Sequence, residues 1–235
     1  MIGVVLSCEH ASWMLPPDVD LGVPLDVVQS QAGWDHGAFE IAARLSEAVG
    51  IPAHAGAFSR MFVDLNRAPD HPHVIPINSY GAAVPGNAGL TEDERASRLA
   101  AFHAPYWDAV RRDVAARLLD RGACVHLSSH SFDPALDPAA RTYELGVLYD
   151  PEHDFEAQLA ERLLFSLRSG GFDVRANQPY AGTGPSICTA LRGALAGERY
   201  AGIQLETSHL VTRTPGGCAR VAHALIQFMD AMGRR

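Results

Sequence analysis

The sequence has no C-x-x-C pair. Its four cysteines, Cys8, Cys124, Cys188 and Cys218, stand far apart, which argues against a cysteine zinc knuckle. They read instead as reduced thiols in a cytosolic protein. No apolar run approaches the roughly 20 residues that a membrane-spanning helix needs. The N-terminal stretch has neither the basic segment nor the cleavage site of a signal peptide, so the expected localisation is cytoplasmic, with no membrane partner. Clustered positive charge is also lacking. A net charge of -8 argues against a nucleic-acid partner, because phosphate binding needs grouped cations. Internal repeats, low-complexity tracts and linkers are absent, so the 235 residues are read as one domain, 1–235.

What is present is enough apolar material for a core, 47% of the chain, arranged in alternating strand and helix signals. Ile2 to Cys8, Ala123 to Ser129 and Ala201 to Glu206 read as buried strands. Further extended pieces fall at 51–58, 61–65, 143–149 and 172–175. Trp34 to Val49 has helical spacing and ends at Gly50. Thr91-Glu-Asp-Glu94 is a capping box that opens a helix, interrupted at Pro105 and resuming to Leu119. Phe155 to Leu167 and Gly217 to Met232 complete the helical set. This alternation predicts a three-layer α/β/α sandwich with a mainly parallel mixed sheet. Residues 68–90, rich in Pro, Gly and Asn, read as a long loop and a candidate lid.

In such sheets ligands gather beyond the C-terminal strand ends. Glu9-His10, His130 and Glu206 all stand at such ends, and Asp35 opens a helix. With 11 histidines in the chain, imidazole is the natural metal ligand. A zinc site uses His and carboxylate donors with one open position, and a separate carboxylate can act as general base. A second group, Arg60-Met-Phe-Val-Asp64-Leu-Asn66-Arg67, offers guanidinium forks suited to a carboxylate. The remaining histidines and the three tryptophans read as surface or core residues, and Asp35 reads equally as a helix cap.

Five segments occur in order: Ser7-Cys-Glu-His-Ala-Ser12, Gly33-Trp-Asp-His-Gly-Ala38, Ser59-Arg-Met-Phe-Val-Asp-Leu-Asn-Arg67, Ser129-His-Ser-Phe132 and Gly202-Ile-Gln-Leu-Glu206. Together with Tyr143 to Tyr149 and Asn177 to Gly182 they resemble the N-formylglutamate amidohydrolase family, which is similar in fold to zinc carboxypeptidases and aspartoacylase-like enzymes. The resemblance implies a zinc-dependent hydrolase of a small N-formyl or N-acyl amino acid. It implies His10 and His130 as metal ligands, Glu206 as general base and Arg60 facing the scissile carbonyl. Asn66 and Arg67 would hold the α-carboxylate, and Tyr180 would add a hydroxyl to the substrate. The carboxypeptidase-like His-x-x-Glu pattern has no Glu here, because Ala11, Ser12 and Trp13 follow His10. The third ligand is Asp35 as first choice and Glu9 as second. The Cys-Glu-His-Ala-Ser opening also differs from the Pro-His-Ser-Gly of members tied to histidine breakdown. That places the chain in a sister branch and leaves open which acyl group and side chain it takes. One alternative is the same site acting on another small N-acyl amino acid or a peptide substrate; the alternative from another class is an inactive small-molecule binding module on the same fold.

Overall fold

The computed structural model describes residues 2–233. A six-stranded sheet forms its centre, in the order β2-β1-β5-β8-β6-β7. The strands are β1 (Gly3–Cys8), β2 (Ala53–Ala55), β5 (Cys124–Phe132), β6 (Leu145–Leu148), β7 (Val174–Ala176) and β8 (Tyr200–Ser208). A separate hairpin pairs β3 (Asn78–Ser79) with β4 (Ala82–Ala83). In the main sheet β2, β1, β5 and β8 run parallel, whereas β6 and β7 run the other way. The helices are α1 (Leu25–Val28), α2 (Ala38–Val49), α3 (Pro85–Ala88), α4 (Glu92–Arg98), α5 (Ala104–Arg121), α6 (Asp154–Ser169), α7 (Ile187–Ala194), α8 (His209–Thr212) and α9 (Gly217–Ala231). This is the mainly parallel α/β architecture expected from the sequence.

Pleating sends alternate residues to opposite faces of the sheet. On one face Val4, Leu6, Val125, Leu127, Ala201, Ile203 and Leu205 pack against Ile41 and Leu45 of α2, Leu163 of α6 and Val221 of α9. On the other face Val5, Cys124 and Tyr200 pack against Trp107 and Val110 of α5 and Ile187 and Leu191 of α7. Local chemistry sets the helix ends. Gly50 closes α2 with a left-handed φ of 64°, and both halves of the Thr91–Glu94 capping box form, satisfying N–H groups that a first turn leaves open.

Several elements differ from the sequence expectation. Pro105 does not break the helical path; it is the second residue of α5, directly after one wide π-helical turn over Leu99–His103, and such a turn departs from the regular ladder that a proline in a helix interior would disrupt. Met61 to Leu65 is not extended but runs through turns, buried in a second apolar cluster with Val74 and Ile75. Residues 68–90 contain the β3–β4 hairpin and α3. Strands β5 and β8 continue past the expected ends, so His130 and Glu206 lie inside strands. Two glycines admit close backbone approaches, one past the ends of β1 and β2 and one on β6. A Cβ at Gly56 would stand 2.0 Å from the Glu9 carbonyl oxygen, and one at Gly146 would stand 1.8 Å from that of Gln178.

Candidate active site

Parallel pairing of β5 with β8 puts Ser128 beside Gln204 and His130 beside Glu206. Residues two apart on a strand share a face, so these four side chains are presented together at the C-terminal end of the sheet. His10 stands two residues past the end of β1, and the Asp35 N–H is tied to the His10 carbonyl at 3.0 Å. The turns at 59–67 add Arg60, Asp64, Asn66 and Arg67 from a third direction. The site thus lies where the chain leaves β1 toward β2 on one side and β5 on the other, the place where a doubly wound sheet opens a crevice.

His10, Asp35 and His130 offer ligand atoms that all lie within 4.8 Å of one another, and all three residues are buried. Asp35 Oδ2 is 3.3 Å from His10 Nδ1 and 2.8 Å from His130 Nδ1. Its other oxygen accepts from Gln31 Nε2 at 2.8 Å and pairs with the Arg60 guanidinium. The far nitrogen of each ring also meets a carboxylate. His10 Nε2 is 2.7 Å from Asp64 Oδ1, and His130 Nε2 is 3.0 Å from Glu9 Oε2. Burial disfavours the charge on Asp35, yet Arg60 and His10 outweigh it and hold the carboxyl well below the usual range. Burial likewise opposes a charged His130, but the hydrogen bonds with Asp35 and Glu9 push its pKa well up. Two imidazoles and one carboxylate, each oriented by an outer partner, are a donor set that suits a divalent cation.

These residues floor a cleft of about 190 Å³. Arg60, Asn66, Arg67, Tyr180, Gln204 and Glu206 line it as well, so the site residues expected from the sequence meet in this one cleft, except Glu9, the second choice for the third ligand, which stays outside its lining. Glu206 Oε2 is buried without a hydrogen-bond partner, and so is Arg60 Nε. Burial raises the Glu206 pKa to about 7, with Asp35 adding to the rise and His130 and Arg60 opposing it. Asn66 Nδ2 donates to Gln204 Oε1 at 3.1 Å, and its Oδ1 accepts from Ile187 N at 3.1 Å. Arg67 donates to the Pro185 carbonyl at 2.6 Å. Tyr180 and Tyr80 meet hydroxyl to hydroxyl at 3.1 Å, and Arg60 lies over the Tyr80 ring. Sequence reasoning missed Gln31, Ser128, Tyr80 and Gln204. Gln31 and Tyr80 gave no distinguishing signal, whereas Ser128 and Gln204 lie two residues before His130 and Glu206, and the strand period alone could have placed them.

The profile of the N-formylglutamate amidohydrolase family matches residues 2–211. The chain belongs to this family. Among solved structures, gene product Atu2144 from Agrobacterium tumefaciens superposes with a TM-score of 0.84 at 31% identity, covering 97% of this chain and 89% of the other. An N-formylglutamate amidohydrolase from Ralstonia eutropha JMP134 superposes at 0.75 with 20% identity, covering 98% and 92%; that likeness is one of fold. No curated protein matches the chain in sequence. Membership makes the chain an amidohydrolase-family protein, and its mainly parallel six-stranded sheet with flanking helices is an α/β fold. Among the described residues no helix is long and apolar enough to cross a membrane.

Proposed function

We propose that the protein hydrolyses the amide of an N-formyl or N-acyl amino acid, with N-formyl-L-glutamate the first substrate to test, and that a zinc ion held by His10, Asp35 and His130 supports the reaction. The observation that carries this reading is a pair of unused groups beside the donor set. Glu206 Oε2 is an acceptor without a donor, and Arg60 Nε is a donor without an acceptor. Buried polar atoms without partners are rare, and a reacting water and carbonyl would satisfy both.

A divalent ion at this position supplies a Lewis acid and lowers the pKa of water toward ~7. Glu206 takes the proton from the attacking water and then delivers it to the leaving amine, so that formate (or the acid) and a free amino acid depart. Arg60 stabilises the negative oxygen that develops on the former carbonyl, a contribution of about 3–4 kcal/mol for one well-placed donor. Arg67 and Asn66 anchor the substrate's α-carboxylate, which fixes the distance of the amide from Glu206, and Tyr180 offers its hydroxyl to the substrate. We take the chain as one cytoplasmic catalytic domain with residues 68–90, which carry Tyr80, as its lid.

Formate release from N-formyl-L-glutamate tests the reading, with zinc-loaded, chelator-stripped and Glu206→Gln protein side by side. Activity that requires both metal and Glu206 supports it. A folded, zinc-loaded protein that releases no formate overturns N-formylglutamate as substrate, and a panel of N-acyl amino acids then decides the acyl group.

A further inference from the structure

Glu9 has no place in the chemistry above, yet it is among the most enclosed charged groups of the protein, 1% exposed. It follows the last residue of β1 and is absent from the cleft lining. A carboxylate so far from water needs several donors to offset its lost hydration. It has them. Tyr106 of α5 donates to Oε1 at 2.9 Å, and Ser128 of β5 donates to Oε2 at 2.5 Å. His130 Nε2 lies 3.0 Å from Oε2. Tyr106 also reaches the His54 carbonyl of β2 at 3.3 Å, so the residue after β1 is held from β5 and α5, and its α5 partner is tied in turn to β2.

An imidazole ligand can turn only one nitrogen to a metal. The Nδ1 atom of His130 faces Asp35, which leaves Nε2 as the outer nitrogen. Three groups stand near it: Glu9 Oε2 at 3.0 Å, Ser128 Oγ at 3.0 Å and Asn66 Nδ2 at 3.3 Å. The asparagine nitrogen is itself a donor and cannot accept. The Ser128 hydroxyl spends its proton on Glu9, so an N–H from His130 ends on Glu9 directly or through Ser128. Either path keeps the proton on Nε2 and a lone pair on Nδ1.

We propose that Glu9, held by Tyr106, is a positioning residue that fixes His130 in the Nδ1-ligating tautomer and ring orientation. The inference rests on the metal reading of His10, Asp35 and His130. Carboxylates in this position typically change metal affinity 10–100-fold when lost. Their effect is on the ligand, not on the reacting atoms.

The test is zinc affinity, measured by competition with a chromophoric chelator, on wild type, Glu9→Gln and Tyr106→Phe protein. Glu9→Gln should weaken binding by about 10–100-fold, and Tyr106→Phe by less. Nitrogen NMR of zinc-loaded wild type should find the His130 proton on Nε2. Unchanged zinc affinity in Glu9→Gln, or a proton on Nδ1, overturns the assignment while leaving the metal site intact. A folded wild type that binds no zinc overturns both the assignment and the reading beneath it. If Glu9→Gln fails to fold, Tyr106→Phe decides: weaker zinc binding by a folded Tyr106→Phe supports the role, and wild-type affinity overturns it.

Discussion

Strands β5 and β8 serve two regions of the molecule with the same nine-residue lengths. One face gives Val125, Leu127, Ala201, Ile203 and Leu205 to the main core. The other carries His126, Ser128, His130, Gln204 and Glu206, just as buried. An apolar face contributes by area removed from water, about 25 cal/mol per Å², and tolerates any partner that fills space. A buried polar face costs free energy unless each group is paired. Here His126 pairs with Ser7 and Tyr200, Ser128 with Glu9, and Gln204 with Asn66. Glu206 keeps one oxygen unpaired, so on this face the incomplete pairing marks the chemistry.

Neighbours on one strand should therefore fail in opposite ways. The largest effect expected is from Glu206→Gln, which keeps the shape and removes the base. Formate release should fall by about 10²–10⁴-fold, with the thermal unfolding midpoint unchanged. A variant with near wild-type turnover would remove Glu206 from the reaction. Next comes Leu205→Ala, one residue earlier and on the apolar face. It deletes a fully buried side chain and should cost about 2–5 kcal/mol in denaturant unfolding. The folded fraction should turn over as wild type does. A turnover loss as large as that of Glu206→Gln would show that the two faces are not separable.

Much of this division was legible in the sequence, because it depends on local signals. The Gly50 stop and the Thr91–Glu94 capping box act within a few residues, and both formed as read. His10, His130 and Glu206 were legible as ionisable groups where apolar runs stop. The same rule misplaced the strand ends. Apolar runs finish at Ser129 and Glu206, but the β5–β8 ladder continues to Phe132 and Ser208, since backbone pairing does not depend on side-chain polarity. Register was the hidden variable. That Ser128 stands by Gln204, and Gly146 opposite Glu206, follows from how strands distant in sequence align. Met61 to Leu65 misled for a related reason: its apolar content reflects burial in the second cluster, whereas its backbone is set by turns and by the Asp64 N–H bond to Val74 at 2.8 Å.

His126 and His130 sharpen the comparison within the polar face itself. Both are buried, four residues apart on one strand, yet their basicities move apart. Burial lowers the His126 pKa to about 4, helped by the nearby His54 and His130, with Glu9 opposing; its hydrogen-bond partners are neutral, the hydroxyls of Ser7 at 2.7 Å and Tyr200 at 2.9 Å and the Cys188 thiol at 3.7 Å. His130 rises because two carboxylates face it. The folded protein therefore keeps His126 neutral, while the unfolded chain protonates it near the ordinary value of 6.5. Its contribution is complete above that value and is lost as pH falls from 6.5 toward 4, where the unfolded state binds the extra proton. Between about pH 7.5 and about pH 5 the loss amounts to about 2 kcal/mol. His209, also lowered to about 4, titrates in the same window, so total acid sensitivity cannot isolate His126. The difference between wild type and His126→Asn can. The variant should be less stable at neutral pH, yet its unfolding free energy should fall less steeply over that interval by about 2 kcal/mol. Parallel slopes for the two proteins would mean that burial leaves the basicity of His126 unchanged, so that the folded and unfolded chains take up its proton together.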